Sequence, residues 1–233
     1  MNTTAGVRLP AAERRAQLLA VACRLFARDG YRGASMEAIA EAAGVTKPVV
    51  YQHFPSKHAL YNDLLGSELA RLEGAFTEAL GRAGDNAERL RQGFGAYLRF
   101  VDVHEDAFRV LFTEALGLDA SFQRRVSRFR EWVAGRIAAI IRAEAGLPDT
   151  RAMALAVAIV GMAEGAATWW LTEARPLPAG ELADELAGLA WKGFARFPGP
   201  AGEAHLPGPA GEAHVPGPAG EARFSGPAGE GPA

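Results

Sequence analysis

The sequence predicts an all-α protein, and three observations carry that prediction. Ala, Leu, Glu and Arg dominate the chain up to residue 197, and apolar residues make up 49% of the whole. Apolar positions recur at i, i+3, i+4 and i+7 in one segment after another, while no long stretch alternates with period two. Helix-start and helix-stop residues fall between those segments, at Ser35, Gly44, Ser56, Gly84-Asp85 and Pro148. The final 36 of the 233 residues differ in composition. What precedes them is long enough for one large or two small domains with a real core.

Residues 1–11 read as a loose arm, with Arg8 able to follow a groove. The first helix is expected from about Ala11 to Asp29, its stripe formed by Leu18, Leu19, Ala22, Leu25 and Phe26. Cys23, the only cysteine, lies in that stripe as a small buried filler. No intrachain disulfide is then possible, which suits a reducing cytoplasm, and the N-terminus shows no signal-peptide apolar region.

The most informative stretch is Ser35 to Phe54, SMEAIAEAAGVTKPVVYQHF. Ser35 is a good N-cap, and Met36, Ile39, Ala40 and Ala43 share one helical face. Gly44 stands where a helix ends in the left-handed conformation. Val45 plugs the corner, and Thr46 is expected to cap a second helix with Pro48 just inside it. That helix packs through Val49 or Val50 and leaves Thr46, Lys47, Pro48, Gln52 and His53 facing outward. Two short helices on a Gly turn, the second capped and exposed, are how a protein places a side-chain edge in the DNA major groove.

After the Phe54-Pro55 break, Ser56 starts a long helix to about Arg82, with Leu60, Tyr61, Leu64 and Leu65 inside. The ordered set Leu25, Phe26, Gly30, Tyr31, Ser35, Ile39, Ala40, Ala43, Gly44, Val45, Tyr51, Phe54, Lys57 and Leu60 resembles the N-terminal domain of the tetracycline-repressor (TetR/AcrR) family. The resemblance covers roughly residues 12–72. It implies a three-helix helix-turn-helix DNA-binding domain there and a helical effector-binding and dimerisation domain over 73–197. Geometry and resemblance together place Ser35, Tyr51, His53 and Lys57 near backbone phosphates. Thr46, Lys47, Pro48 and Val49 lead the reading helix, where Lys47 suits guanine O6 or N7 and the Thr46 and Val49 methyls suit thymine.

The second half continues the helical pattern. Phe94, Tyr97, Leu98 and Val101 share one face, then Phe108, Leu111, Phe112 and Leu116, then Phe122, Val126, Phe129, Val133, Ile137, Ile140 and Ile141. A further helix from Pro148 to about Glu173 is apolar over Ala152 to Leu171 except for Glu164 and Thr168. Its length would suffice to cross a membrane. Its Ala and Gly content, its central Glu164 and the amphipathic helix that follows argue for burial against a second copy instead. That last helix, Glu181 to Phe197, is expected to bury Leu182, Leu186, Leu189, Ala190 and Phe194. Two such helices from each of two subunits make a four-helix bundle, with Gly161 and Gly165 allowing close approach at that seam or room beside a pocket. In the resembling family these helices enclose the effector, so Phe94, Tyr97, Phe112, Phe129, Trp132, Met162, Trp169 and Trp170 are candidates for an apolar cavity. Glu164 would orient a ligand's polar end or bond across subunits. The expected effector is a small hydrophobic compound, a fatty-acyl molecule or a xenobiotic.

Residues 198–233 repeat Pro-Gly-Pro-Ala-Gly-Glu-Ala with period nine and hold nine Gly and eight Pro, too little apolar content for a core. His205, His214 and Arg223 interrupt the Gly spacing that collagen requires.

Net charge is −2, yet residues 1–60 carry eight Lys and Arg against four acids. A basic head on an acidic body attracts phosphate at one end only. That confinement argues against a nonspecific nucleoid-type binder. No nucleophile–base set supports an enzyme, and His53 with His58 makes a poor metal pair, so neither cofactor nor metal is expected. The reading is a cytoplasmic, dimeric repressor of double-stranded DNA, released from a palindromic operator by its ligand, with an activator of the same fold as the alternative.

Overall fold

The structure, a computed structural model, describes residues 9–114 and 119–194. The arm up to residue 8, Leu116, the side chain of Phe194 and the repeat tail lie outside the described residues. Helices α1 (Ala11–Gly33), α2 (Met36–Ala42) and α3 (Lys47–His53) form a small head. Helix α4 (Lys57–Arg82) runs from the head into the body. The body consists of α5 (Asn86–Val103), α6 (Glu105–Phe108) continuing as a π-helical stretch to Glu114, α7 (Ala120–Ala145), α8 (Asp149–Thr172) and α9 (Ala179–Phe194). Among the described residues there is no strand.

The expected caps form where short polar side chains meet free helix-end N–H groups. Ser35, Ser56 and Asp85 accept from the N–H groups of Ala38, Ala59 and Glu88 at 3.0, 3.0 and 2.8 Å. Thr46 departs from expectation: its hydroxyl makes no capping bond, and Pro148 stands at the N-cap of α8 rather than inside it. Gly44 (φ 65°) ends α2 with two reversed bonds, Val45 N–H to Ala40 C=O and Gly44 N–H to Glu41 C=O. This double closure fixes the angle at which α3 leaves. Gly30 (φ 71°, ψ 167°) interrupts α1 in a region open to Gly almost alone.

Head and body meet through aromatic rings. Phe122, near the start of α7, reaches the head beside Tyr61, His58 and Tyr31 at centroid distances of 4.7, 4.7 and 5.7 Å. Phe26 and Tyr31 close the cluster on Tyr61, each at 4.9 Å. The Tyr61 hydroxyl donates to the Val110 carbonyl in the π-helical stretch at 3.2 Å. Cys23 of α1 is buried, and burial, aided by the charges of Glu68 and Asp106, pushes its thiol up to about 12, as expected of a filler.

In the body, α8 packs along α7, and α9 along α5. Helix α8 is long and apolar enough to cross a membrane, but here Ala152, Ala156, Ile159, Ala167 and Trp170 bury one side of it. Its other side carries Met153, Val157 and Trp169, which are 40, 57 and 48% exposed. Gly161 and Gly165 complete that row at four-residue spacing, with nothing within 4 Å of an added Cβ. On α9, Leu182, Leu186 and Ala190 are buried as expected, whereas Leu189 is 64% exposed. It lies at the outer edge of the stripe, about 100° round the helix from Ala190 and on the side of Leu182, and borders an apolar groove with Leu155 and Met162 of α8. At the end of α8, Arg175 (φ 59°) bonds Asp102 and Glu105 at 3.1 and 2.6 Å.

Two of the three positive-φ glycines among the described residues, Gly44 and Gly30, give a direct check. Gly44→Ala is expected to lower the unfolding free energy by about 1 kcal/mol, because its Cβ meets no atom and only the backbone is strained. Gly30→Ala is expected to cost more, about 2–3 kcal/mol. Urea denaturation of the two variants reads the order directly.

Candidate nucleic-acid interface and ligand cavity

The head presents α3 by its leading edge. Val50 and Phe54 are fully buried and anchor the helix, so of the two valines it is Val50 that packs. Thr46, Lys47, Pro48, Tyr51 and Gln52 are exposed, and Val49 and His53 are half-buried. The uncapped Thr46 hydroxyl and methyl both stand at the outer edge. Lys47 forms an ion pair with Glu37 of α2, and its ammonium lies 5.9 Å from the Tyr51 ring. That contact raises the Lys47 pKa and lowers that of Glu37, in both cases through the hydrogen bond between them first. Both partners are about half-exposed, so the pair is open to exchange with another anion.

Ser35 uses its oxygen as a cap acceptor, which leaves the hydroxyl proton free for a phosphate. Lys57 has a structural task that sequence did not reveal. Its ammonium donates to the carbonyls of Tyr31 and Ala34 at 2.8 and 3.0 Å and lies over the Tyr31 ring at 4.7 Å. It thereby ties the start of α4 to the α1–α2 connection, with one donor left over.

The body holds an apolar cavity between α4, α5, α7 and α8. Phe94, Tyr97, Phe129, Trp132 and Glu164 line it, as the sequence predicts. Phe76, Leu80, Leu90, Ile140 and Ile159 also line it, with Arg89 and Arg136 at its edge. The aliphatic residues carry no aromatic signal to single them out, and Phe76 lies on α4, ahead of the aromatic stripes that the sequence marks. The open space is about 60 Å³.

Four candidates lie elsewhere. Phe112 stands behind the wall, 6.2 Å from Tyr97 and 6.4 Å from Phe129. Met162 borders the α8–α9 groove and Trp169 the outer row, because the cavity faces positions 159, 160, 163 and 164 of α8. Trp170 is buried, its indole donating to the Leu177 carbonyl at 2.7 Å. Glu164 is paired within its own chain: Arg130 of α7 donates to both its oxygens, at 2.7 and 2.9 Å.

Comparisons with known proteins agree with this architecture. The family described as bacterial regulatory proteins, tetR family, matches residues 18–64, and the tetracyclin repressor-like C-terminal domain matches residues 87–193. The chain is similar to the HTH-type transcriptional activator FasR of Mycolicibacterium smegmatis, 33% identical over 83% of this chain and 88% of that protein. It is similar over less of its length to the HTH-type transcriptional repressor KstR2 of Rhodococcus jostii, 30% identical over 46% of this chain and 53% of that one. A TetR-like transcriptional regulator from Rhodococcus sp. RHA1 superposes with a TM-score of 0.72 at 29% identity, covering 81% of this chain and all of that chain. FadR of Bacillus subtilis, solved with stearoyl-CoA, shares the fold (TM-score 0.64, 15% identity, 75% of this chain and 96% of that one).

The two lysines of the interface should separate by stability. Lys57→Met is expected to lower the unfolding free energy by about 1–2 kcal/mol, since two carbonyls lose a charged donor. Lys47→Ala should leave the urea midpoint unchanged, because its pair is solvent-exposed.

Proposed function

Because the chain belongs to the tetR family of bacterial regulatory proteins, we propose that this transcriptional regulator is a cytoplasmic, dimeric repressor that a small hydrophobic ligand releases from a palindromic operator. The observation that carries the reading is the leading edge of α3, exposed at Thr46, Lys47, Pro48 and Tyr51 and aimed by the closed Gly44 turn. Thr46, Lys47, Pro48 and Val49 read bases, with Lys47 leaving Glu37 for a guanine edge. Ser35, Tyr51, His53 and the spare donor of Lys57 hold phosphates.

The outer row of α8, with Leu189 of α9, is the dimer seam; its apolar length has no other cover among the described residues. A two-fold seam places two α3 helices about 34–36 Å apart, or a multiple of that, on one face of the duplex. The ligand occupies the cavity. Its open space is small beside the roughly 300–1,000 Å³ of a usual ligand cleft, so Phe76, Phe129 and Trp132 must turn aside to admit it. Helix α7 carries that displacement to the head, since Phe129 and Trp132 line the cavity and Phe122 sits among the head's rings. The spacing of the two reading helices then changes.

Activation in place of repression is a second reading, favoured by the 33% identity to an activator over most of both chains. Transcription in vitro from the protein's own promoter, with and without the protein, decides between them.

Titration of the promoter beside the protein's own gene against scrambled DNA, both at one stated salt concentration, tests the DNA reading. The promoter is expected to bind about a thousandfold tighter; a ratio near one overturns the proposal. Lys47→Ala and Tyr51→Ala should each weaken that binding about tenfold with helicity unchanged. Val157→Glu, which sets a charge in the outer row, is expected to convert a dimer to a folded monomer in light scattering and to abolish tight operator binding. A wild-type protein that is already monomeric removes the two-fold reading.

A further inference from the structure

Tyr97 is a buried polar group in a largely apolar wall. The residue is 5% exposed, and its hydroxyl has no hydrogen-bond partner among the described residues. Rings surround it: Phe76, Phe108 and Phe112 stand at 6.5, 6.4 and 6.2 Å between centroids. Glu164 lies near enough to act on it electrostatically, yet both carboxylate oxygens already accept from Arg130. A buried hydroxyl without a partner costs about 1–3 kcal/mol, and phenylalanine would fill the same space without that cost.

The surroundings define what would satisfy it. Burial, with the charge of Glu164 adding to it, holds the hydroxyl well above its ordinary pKa, so it remains a donor. Arg130 and Glu164 cancel each other's charge, so the hydroxyl's own surroundings, the rings of Phe76, Phe108 and Phe112, are apolar and neutral, while Arg89 and Arg136 also line the cavity. A carboxylate seated there would bring an unpaired negative charge next to Glu164 and away from water. The fitting complement is an uncharged oxygen that accepts.

We propose that the Tyr97 hydroxyl is the anchoring donor of this cavity and that its ligand is an apolar molecule bearing a neutral carbonyl oxygen, a thioester on an acyl chain or a ketone on a ring system. The assignment rests on the effector reading above and narrows it. It makes Tyr97 a specificity residue, because a site built to bond one oxygen rejects the analogue that lacks it.

The test compares matched probes on the full-length protein by calorimetric titration: palmitoyl-CoA with its S-hexadecyl thioether, and cholestenone with cholestene, the sterols delivered in cyclodextrin. Wild type is expected to prefer the carbonyl member of one pair by about tenfold, and the preferred pair identifies the source. Tyr97→Phe is expected to erase that preference while binding the carbonyl-free member as wild type does. Its melting temperature should be unchanged or higher, since the lost hydroxyl had no partner. The assignment is overturned if Tyr97→Phe keeps the preference, if wild type binds both members of each pair alike, or if no probe binds. An operator release assay run beside it separates the two claims. Tyr97-dependent binding that leaves the DNA complex intact defeats the effector reading and leaves the anchor standing. Release by both members of a pair alike does the reverse.

Discussion

The contact on which the molecule depends is the seat of Phe122 among the rings of the head. Tyr61, His58 and Tyr31 touch it, and Tyr61 also bonds the Val110 carbonyl. Ring pairs of this kind contribute about 0.5–1.5 kcal/mol each beyond the area they bury. Several together hold α7 against the head as one piece. Ten residues further along the same helix, about 15 Å at the rise of an α-helix, Trp132 lines the cavity. A packed core deforms little, so a shift of α7 at the cavity is passed to the head rather than absorbed between them. This is why the proposed mechanism assigns the coupling of cavity to head to α7.

The charges of the head follow a different logic. Its excess of basic residues suggests free cations, but in the folded head several are occupied: Lys47 by Glu37, Arg15 by Asp63, Arg28 by Asp29 and Lys57 by two carbonyls. The first three pairs are solvent-exposed on at least one side, where screening and competing water leave little net energy. A phosphate or a base edge can therefore replace Glu37 at Lys47 at small cost. Lys57 is held differently, since its departure would leave carbonyls of the α1–α2 connection without their donor. Exchange at the leading edge and permanence at the hinge suit a surface that must bind reversibly without loosening.

How much of this was legible in the sequence depends on the kind of signal. Caps and turn glycines act through neighbouring residues, so Ser35, Ser56 and Gly44 could be read directly. The burial of Val50 rather than Val49, and the exposure of Leu189 beside buried Ala190, depend on rotation about a helix axis by one residue. Periodicity fixes a stripe's existence better than its edges. The cavity was legible in part for the same reason: aromatic residues marked Phe94, Tyr97, Phe129 and Trp132, but the rotation of α8 excluded Met162 and Trp169 and admitted Ile159. Partners far apart in sequence left no trace. Arg130 with Glu164, Lys57 with the Tyr31 carbonyl and Phe122 with Tyr61 arise only once the helices are packed.

Helix α8 draws these strands together, because its composition gives it more apolar surface than one neighbour can cover. One side lies on α7, a second faces the cavity through Ile159, Val160, Ala163 and Glu164, and a third shows Met153, Val157 and Trp169. The Arg130–Glu164 pair fixes the helix against α7 beside the cavity, and Arg175 fixes its far end to the α5–α6 junction. Anything that widens the cavity pushes between α7 and α8, and the Arg130–Glu164 pair resists their separation. The pair of helices must then move together or rotate, and rotation of α8 turns its outer row with it. In the proposed dimer that row is the seam, so ligand size, seam geometry and head spacing become one mechanical quantity. A helix apolar on nearly every side, which in isolation looks suited to a membrane, is what such a linkage requires.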